Sequence, residues 1–266
     1  MLDLTKNYCY DPILQGQLDV ITMQAGLHNV PEKDLVLMEL CNYHQCFINR
    51  LSLGFGTVDI VDKLLSLFKG KTLTCIGPYW AGIHWACEKN GVKVSEDGGD
   101  IAYIARPNGR DGLVRDVPFD DYEFVIIDEA YSDFADETLI NHDHTNSIVT
   151  KTFSKSLSMP GVRFAYAVSS PEMASRLNKL HHPYSINGLV QVMVPRCFEL
   201  IQQHVVRMLQ TKVYLEKNYE CLPSQANFVR MVNPPPFDVK VTKIDNYYRF
   251  TLIELRELFK LEIQYN

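Results

Sequence analysis

The chain has 266 residues, 46% of them apolar and 22% charged, which is enough to bury a large core and excludes a disulfide mini-protein, a disordered chain, a collagen or a coiled coil. Its 26 basic against 32 acidic side chains leave a formal net charge of −6 and no basic cluster, so nucleic acid is not an expected partner. The seven scattered cysteines form no C-x-x-C pair and read as reduced thiols; with no run of 18 apolar residues and no apolar core behind Met1, neither a membrane span nor a signal peptide is expected, and the protein reads as cytoplasmic.

The first clear element follows Gly54-Phe55-Gly56-Thr57-Val58, where Ile60, Val61, Leu64, Leu65 and Phe68 share one face at helical spacing and Thr57 is the predicted N-cap. A glycine turn opening such a helix offers free N–H groups that suit a phosphate, although a lone G-x-G is normally a mere turn. Short β-branched or aromatic runs recur at 72–76, 101–105, 124–127, 147–150 and 164–168. They read as buried strands of a mainly parallel sheet. Further on, Ile201, Val205, Met208 and Leu209 mark a helix, Pro234-Pro235-Pro236 is the one abrupt break, and strands are expected around 227–231 and 247–251. The fold class is therefore α/β, a central mostly parallel sheet flanked by helices with a smaller α+β C-terminal lobe.

Two stretches carry candidate chemistry. Phe124-Val-Ile-Ile-Asp128-Glu129-Ala130-Tyr131 puts an acid at the carboxyl end of a strand, where open α/β sheets bind ligands, or where an acid simply caps a turn. Lys151-Thr152-Phe-Ser154-Lys155 followed by Gly161 and Arg163 can form an amine and anion site, although a Ser-Lys pair alone reads as surface. His142 and His144 around Asp143 are spaced too loosely for zinc, and Cys41, His44 and Cys46 lack a second ligand pair.

In this order the stretches resemble the fold-type I family of pyridoxal-phosphate enzymes, within it the class that contains histidinol-phosphate aminotransferase. The matching segments are G-x-G-[ST] at 54–57, Pro78-Tyr79-Trp80, Asp128 to Tyr131, Ser154 to Arg163, Pro223 to Phe228, and Arg249 in Tyr-Tyr-Arg-Phe-Thr. Pro183-Tyr-Ser-Ile-Asn187 resembles the connection into a long interdomain helix. The resemblance implies pyridoxal 5'-phosphate as cofactor and a homodimer. It also implies an N-terminal arm with part of a small lobe at 1–49, a large cofactor-binding domain at 50–195 and a small C-terminal domain at 196–266.

Residue by residue, it implies that Lys155 joins the cofactor aldehyde and then acts as general base. Asp128 would sit against the pyridine nitrogen and Tyr131 would donate to the phenolic oxygen. Thr57, Val58, Thr152, Ser154 and Arg163 would hold the phosphate, and Trp80 would stack on the ring. Arg249 would bind the substrate's anionic group, with Lys240 either a second charge for it or a solvated edge lysine.

The family's P-N-N-P-T-G stretch is here Pro107-Asn108-Gly109-Arg110-Asp111-Gly112, so glycine replaces the asparagine that reaches the phenolic oxygen, and Asn108 is the candidate substitute. The chain is shorter than usual members, its substrate-binding arm reduced to something like Leu4-Thr5-Lys6-Asn7-Tyr8. Tyr43 is the candidate to reach a neighbouring subunit's cofactor. The implied function is an aminotransferase moving an amino group between an amino acid, or amino-alcohol phosphate, and a 2-oxo acid. A decarboxylase or lyase of the same fold, such as a threonine-phosphate decarboxylase-like enzyme, and a non-catalytic binding or regulatory module are the alternatives.

Overall fold

The computed structural model describes residues 1–24, 30–135, 137–182 and 186–265. Its central sheet has the strand order Leu51–Gly54, Ala165–Ser169, Ser147–Thr152, Phe124–Asp128, Ile101–Ala105, Thr72–Ile76, Lys93–Ser95. Ala165–Ser169 runs antiparallel to both of its neighbours, and every other pair is parallel. Side-chain alternation buries both faces: Ala102, Ile104, Val125 and Ile127 join one core cluster, while Ile101, Tyr103, Phe124 and Ile126 join another. Burial on both faces is why these strands are apolar without a break in the sequence. The edge strands Leu51–Gly54 and Lys93–Ser95 are too short to show a periodicity and are not legible there.

The helix after the glycine turn is Thr57–Ser66. Its cap is Gly56 rather than the predicted Thr57, because the chain enters the helix at φ +83 and a Cβ at 56 would lie 2.3 Å from Arg163 Nη2. Only glycine fits both conditions. Thr57 becomes the first helical residue, and its hydroxyl is left over.

Of the connection expected at 183–187, residues 183–185 lie outside the described residues. Asn187 caps the helix Gly188–Asn218 by accepting from the Val190 N–H at 3.1 Å. This helix buries Ile201, Val205 and Met208 and runs through Pro195, so the expected junction at 195–196 falls inside it.

The C-terminal lobe is an antiparallel sheet in the order Thr242–Ile244, Tyr247–Thr251, Phe228–Met231, Cys221–Leu222. The N-terminus is stitched onto it. Leu2–Asp3 pairs in parallel with Val239–Lys240, Tyr10 bridges Ile253, and the Thr251 hydroxyl donates to the Leu4 carbonyl at 2.9 Å. Residues 6–8 are thereby carried to the carboxyl ends of the central strands. Among the described residues no helix is long and apolar enough to cross a membrane.

Candidate active site

Asp128 ends its strand opposite Ala105 on one side and Thr150 on the other, at the floor of a cavity of about 740 Å³. Its buried carboxylate accepts from the Tyr103 hydroxyl at 2.7 Å and from the Ala130 N–H at 3.0 Å. The Trp80 indole N–H donates to the same Tyr103 oxygen at 3.0 Å. Burial pushes the Asp128 carboxyl upward, against the pull of these two hydrogen bonds. A cation placed beside such an acid favours its ionised form.

Lys155 stands on the short helix Phe153–Ser156, capped by Thr152, whose hydroxyl oxygen accepts from the Ser154 N–H at 3.1 Å and donates to the Phe164 carbonyl at 2.7 Å. The Lys155 ammonium donates to the Asn7 carbonyl at 3.3 Å and lies 4.1 Å from the Tyr8 ring centroid and 5.6 Å from that of Tyr131. Burial, and after it the charge of Arg249, bring Lys155 down to about 8. Burial likewise raises the Tyr131 phenol, whose oxygen accepts from Asn7 Nδ2 at 3.0 Å.

Another wall is the N-terminus of Thr57–Ser66, joined by Ser154 and Arg163. Arg163 has φ +54 and donates to the carbonyls of Pro160 at 3.0 Å and Phe55 at 3.3 Å, which sets its guanidinium beside the glycine turn. Arg249, from the strand Tyr247–Thr251, donates to the carbonyls of Thr5 at 2.9 Å and Gly109 at 3.3 Å, and its Nε is buried without a partner.

Thr57, Val58, Trp80, Asn108, Asp128, Tyr131, Thr152, Ser154, Lys155, Arg163 and Arg249 all line this one cavity; Lys240 does not. Lys240 lies on the strand that pairs with the arm, its side chain 63% exposed and its Nζ 3.7 Å from the Asp3 carboxylate, so it is the solvated edge lysine. Lys243, with Arg110 and Lys6, lines the cavity instead. The Asn108 amide donates to the Pro78 carbonyl of another segment and its Oδ1 accepts from the Arg110 N–H at 2.9 Å, so both polar atoms are already engaged. Tyr43 belongs to a separate cavity and stacks on Phe198 at 3.7 Å between ring centroids.

Sequence reasoning misses Tyr103, although it is the one hydroxyl in the buried run Ile101–Ala105 on the strand beside Asp128. It names Asn7 and Tyr8 only as part of an arm, because nothing local to them points to Tyr131 or Lys155.

Residues 123–243 match the family model for aminotransferase class I and II. The chain is 30% identical over 258 residues to the histidinol-phosphate aminotransferase of Geobacter sp. (strain M21), across 83% of this chain and 73% of that protein. It belongs to the class I and II aminotransferase family. A second member, the histidinol-phosphate aminotransferase of Pyrococcus furiosus, is 23% identical over 211 residues, and the match spans 68% of this chain and 62% of that relative's length. Among solved structures, the histidinol-phosphate aminotransferase from Clostridium acetobutylicum has the same fold, with a TM-score of 0.78 at 18% identity over 98% of this chain and 96% of that one.

Pyridoxal phosphate, the cofactor this family implies, fits the residues present. Thr57 Oγ1 is buried without a hydrogen-bond partner, at a helix N-terminus walled by Arg163. The bonded neighbours of Asp128 are a phenol and an amide, with no cation among them. A phosphate suits the first place and a protonated ring nitrogen the second.

Proposed function

We propose that the chain is a pyridoxal-phosphate-dependent aminotransferase that moves an amino group between an amino acid, or an amino-alcohol phosphate, and a 2-oxo acid. The observation that carries the reading is the meeting of Lys155, Asp128, Tyr131, Arg163 and Arg249 in one cavity. When bound, the cofactor supplies an electron-accepting ring next to the substrate carbon that bears the amine. The chain's own residues bind, orient and move protons. Asp128 would hold the ring nitrogen in its cationic form, and the Tyr131 hydroxyl would donate to the phenolic oxygen. Thr57, the Val58 N–H, Ser154 and Arg163 would hold the phosphate, Trp80 would cover the ring, and Arg249 would orient the substrate's anionic group.

Lys155 would take the proton from the substrate carbon and return it at the next position. A general base has to be neutral when it accepts a proton and charged when it gives one up. With its amine at about 8, roughly a tenth of Lys155 is neutral at pH 7, so both states are within reach. Lys6 and Lys243 add positive charge to the same cavity, where Arg110 is paired with Asp245 at 3.2 Å, and this charge favours substrates with a second anionic group. In this reading residues 50–195 form the cofactor-binding domain and 1–49 with 196–266 the remainder, and the enzyme works as a cytoplasmic homodimer. The seven cysteines are all unpaired thiols, as a reducing compartment would keep them.

The test is the visible spectrum of the purified protein with pyridoxal phosphate before and after borohydride, followed by a screen of amino donors against 2-oxo acids. The expected result is a visible band that borohydride fixes covalently, that Lys155→Ala lacks, and that accompanies stoichiometric 2-oxo acid consumption. Carbon dioxide release without 2-oxo acid consumption would assign decarboxylation instead. No band in either protein would overturn the cofactor reading.

A further inference from the structure

The Tyr131 hydroxyl meets an amide that comes from the far end of the chain. Its oxygen accepts from Asn7 Nδ2 at 3.0 Å. The loop beside the ring has no room to supply such a donor: a Cβ on Gly109 would lie 2.7 Å from Tyr131 Cε2 and 2.9 Å from its hydroxyl oxygen. The neighbouring Asn108 amide is bonded to the Pro78 carbonyl.

Asn7 is held from several sides. It is 3% exposed and sits at φ +57, with its amide nitrogen facing Tyr131 and its Oδ1 3.2 Å from the Thr251 hydroxyl oxygen, whose one proton goes to the nearer Leu4 carbonyl. Its carbonyl accepts from Asn227 Nδ2 and from Lys155 Nζ, each at 3.3 Å. One residue of the arm thus touches both Tyr131, through its side chain, and Lys155, through its main chain.

We propose that Asn7 is a positioning residue for Tyr131, its amide fixing the phenol so that the hydroxyl proton points into the cavity. A phenol has a single proton to donate; once its oxygen accepts from the amide, that proton is directed elsewhere, and the accepted bond makes it a stronger donor. The inference rests on the cofactor reading, because the acceptor it serves is the cofactor's phenolic oxygen. It also couples the site to the arm: the pairing of Leu2–Asp3 with Val239–Lys240 and the Thr251–Leu4 bond hold Asn7 in register, so docking of the arm and orientation of Tyr131 are one event.

Asn7→Gly removes the amide and still tolerates the left-handed backbone. In protein loaded with pyridoxal phosphate, the pH midpoint of the visible absorbance change reports how far the neighbours favour the deprotonated chromophore, and weakening a donor to it raises that midpoint. The expected result is a rise of about half a pH unit or more in Asn7→Gly, with no further rise when the same substitution is made in a Tyr131→Phe background. An unchanged midpoint, or an equal shift in the Tyr131→Phe background, would overturn the proposal.

A cofactor-free measurement decides the matter if loading fails. With tyrosine carrying ¹³C at Cζ, the Tyr131 resonance is the one lost in Tyr131→Phe. It should move in Asn7→Asp, which keeps the side chain's size and tolerance of the left-handed region but offers an acceptor in place of the donor. A resonance that stays in place overturns the proposal. A wild-type protein that takes up no pyridoxal phosphate sinks the proposed function, and the resonance then decides whether Asn7 orients Tyr131.

Discussion

Tyr103 donates its hydroxyl proton to Asp128 from the neighbouring strand at 2.7 Å, and its oxygen receives the Trp80 indole N–H at 3.0 Å. The three side chains form one hydrogen-bonded line along the cavity wall, so the acid at its end is fixed in place before any ligand arrives. Such preorganisation spares a bound ring the cost of ordering the group it meets.

Tyr103→Phe leaves the Trp80 N–H without its acceptor and takes one donor from Asp128. The cofactor-free protein should lose about 1–3 kcal/mol in urea unfolding, and its affinity for pyridoxal phosphate should fall severalfold. An unchanged unfolding midpoint would show that the hydroxyl bears no part of the wall's stability.

Lys155, at about 8, should combine with the cofactor aldehyde at a rate that rises about tenfold per pH unit below that value and levels off above it. Stopped-flow absorbance across this range checks the inflection, and Arg249→Gln should move it upward by removing the neighbouring charge. The same shift acts on stability. Between about pH 8 and 10.5 the unfolded chain holds a proton that the folded one lacks, so this group's contribution rises with pH across that window and is smallest below it. Lys155→Met should flatten the rise.

Thr57→Val separates binding from folding. The Thr57 hydroxyl is buried with no partner, so replacing it with a methyl group should not lower cofactor-free stability and should raise it by up to about 1–3 kcal/mol. The thermal stabilisation that added pyridoxal phosphate confers should nevertheless shrink. An equal gain in wild type and variant would take Thr57 out of the phosphate site.

Gly109→Ala pushes a methyl group to within 2.7 Å of the Tyr131 ring. Overpacking of this kind costs about 1–3 kcal/mol and should displace the phenol, weakening cofactor binding as well. Retention of both stability and affinity would mean that the loop yields without disturbing Tyr131.

Lys240 and Arg249 should behave oppositely. Lys240→Ala removes an exposed lysine 3.7 Å from Asp3, which should alter stability by less than about 1 kcal/mol and leave substrate KM unchanged. Arg249→Gln removes a guanidinium that lines the cavity, and should raise KM for an anionic substrate at least about tenfold, the loss of a charge-assisted hydrogen bond.

Much of the fold is legible in the sequence because the signals are local. The runs at 101–105 and 247–251 coincide with strands, and the run from Phe124 continues to the acid that ends it. Lys155, Ser154 and Arg163 lie within ten positions of one another on a capped turn and the segment behind it, so their proximity is written into the chain. Even the offset at the glycine turn, with Gly56 as cap and Thr57 inside the helix, is a shift of one residue. It was decided by the space Arg163 leaves.

The tertiary structure alone decided which distant groups meet. Asn7 reaches Tyr131 across 124 residues of chain, Tyr103 reaches Asp128 across 25, and Lys243 rather than Lys240 faces the cavity. Periodicity and turn chemistry act over a few residues and so show in sequence. Strand register and the docking of the arm are set by the whole core, where one step along a strand turns a side chain to the opposite face.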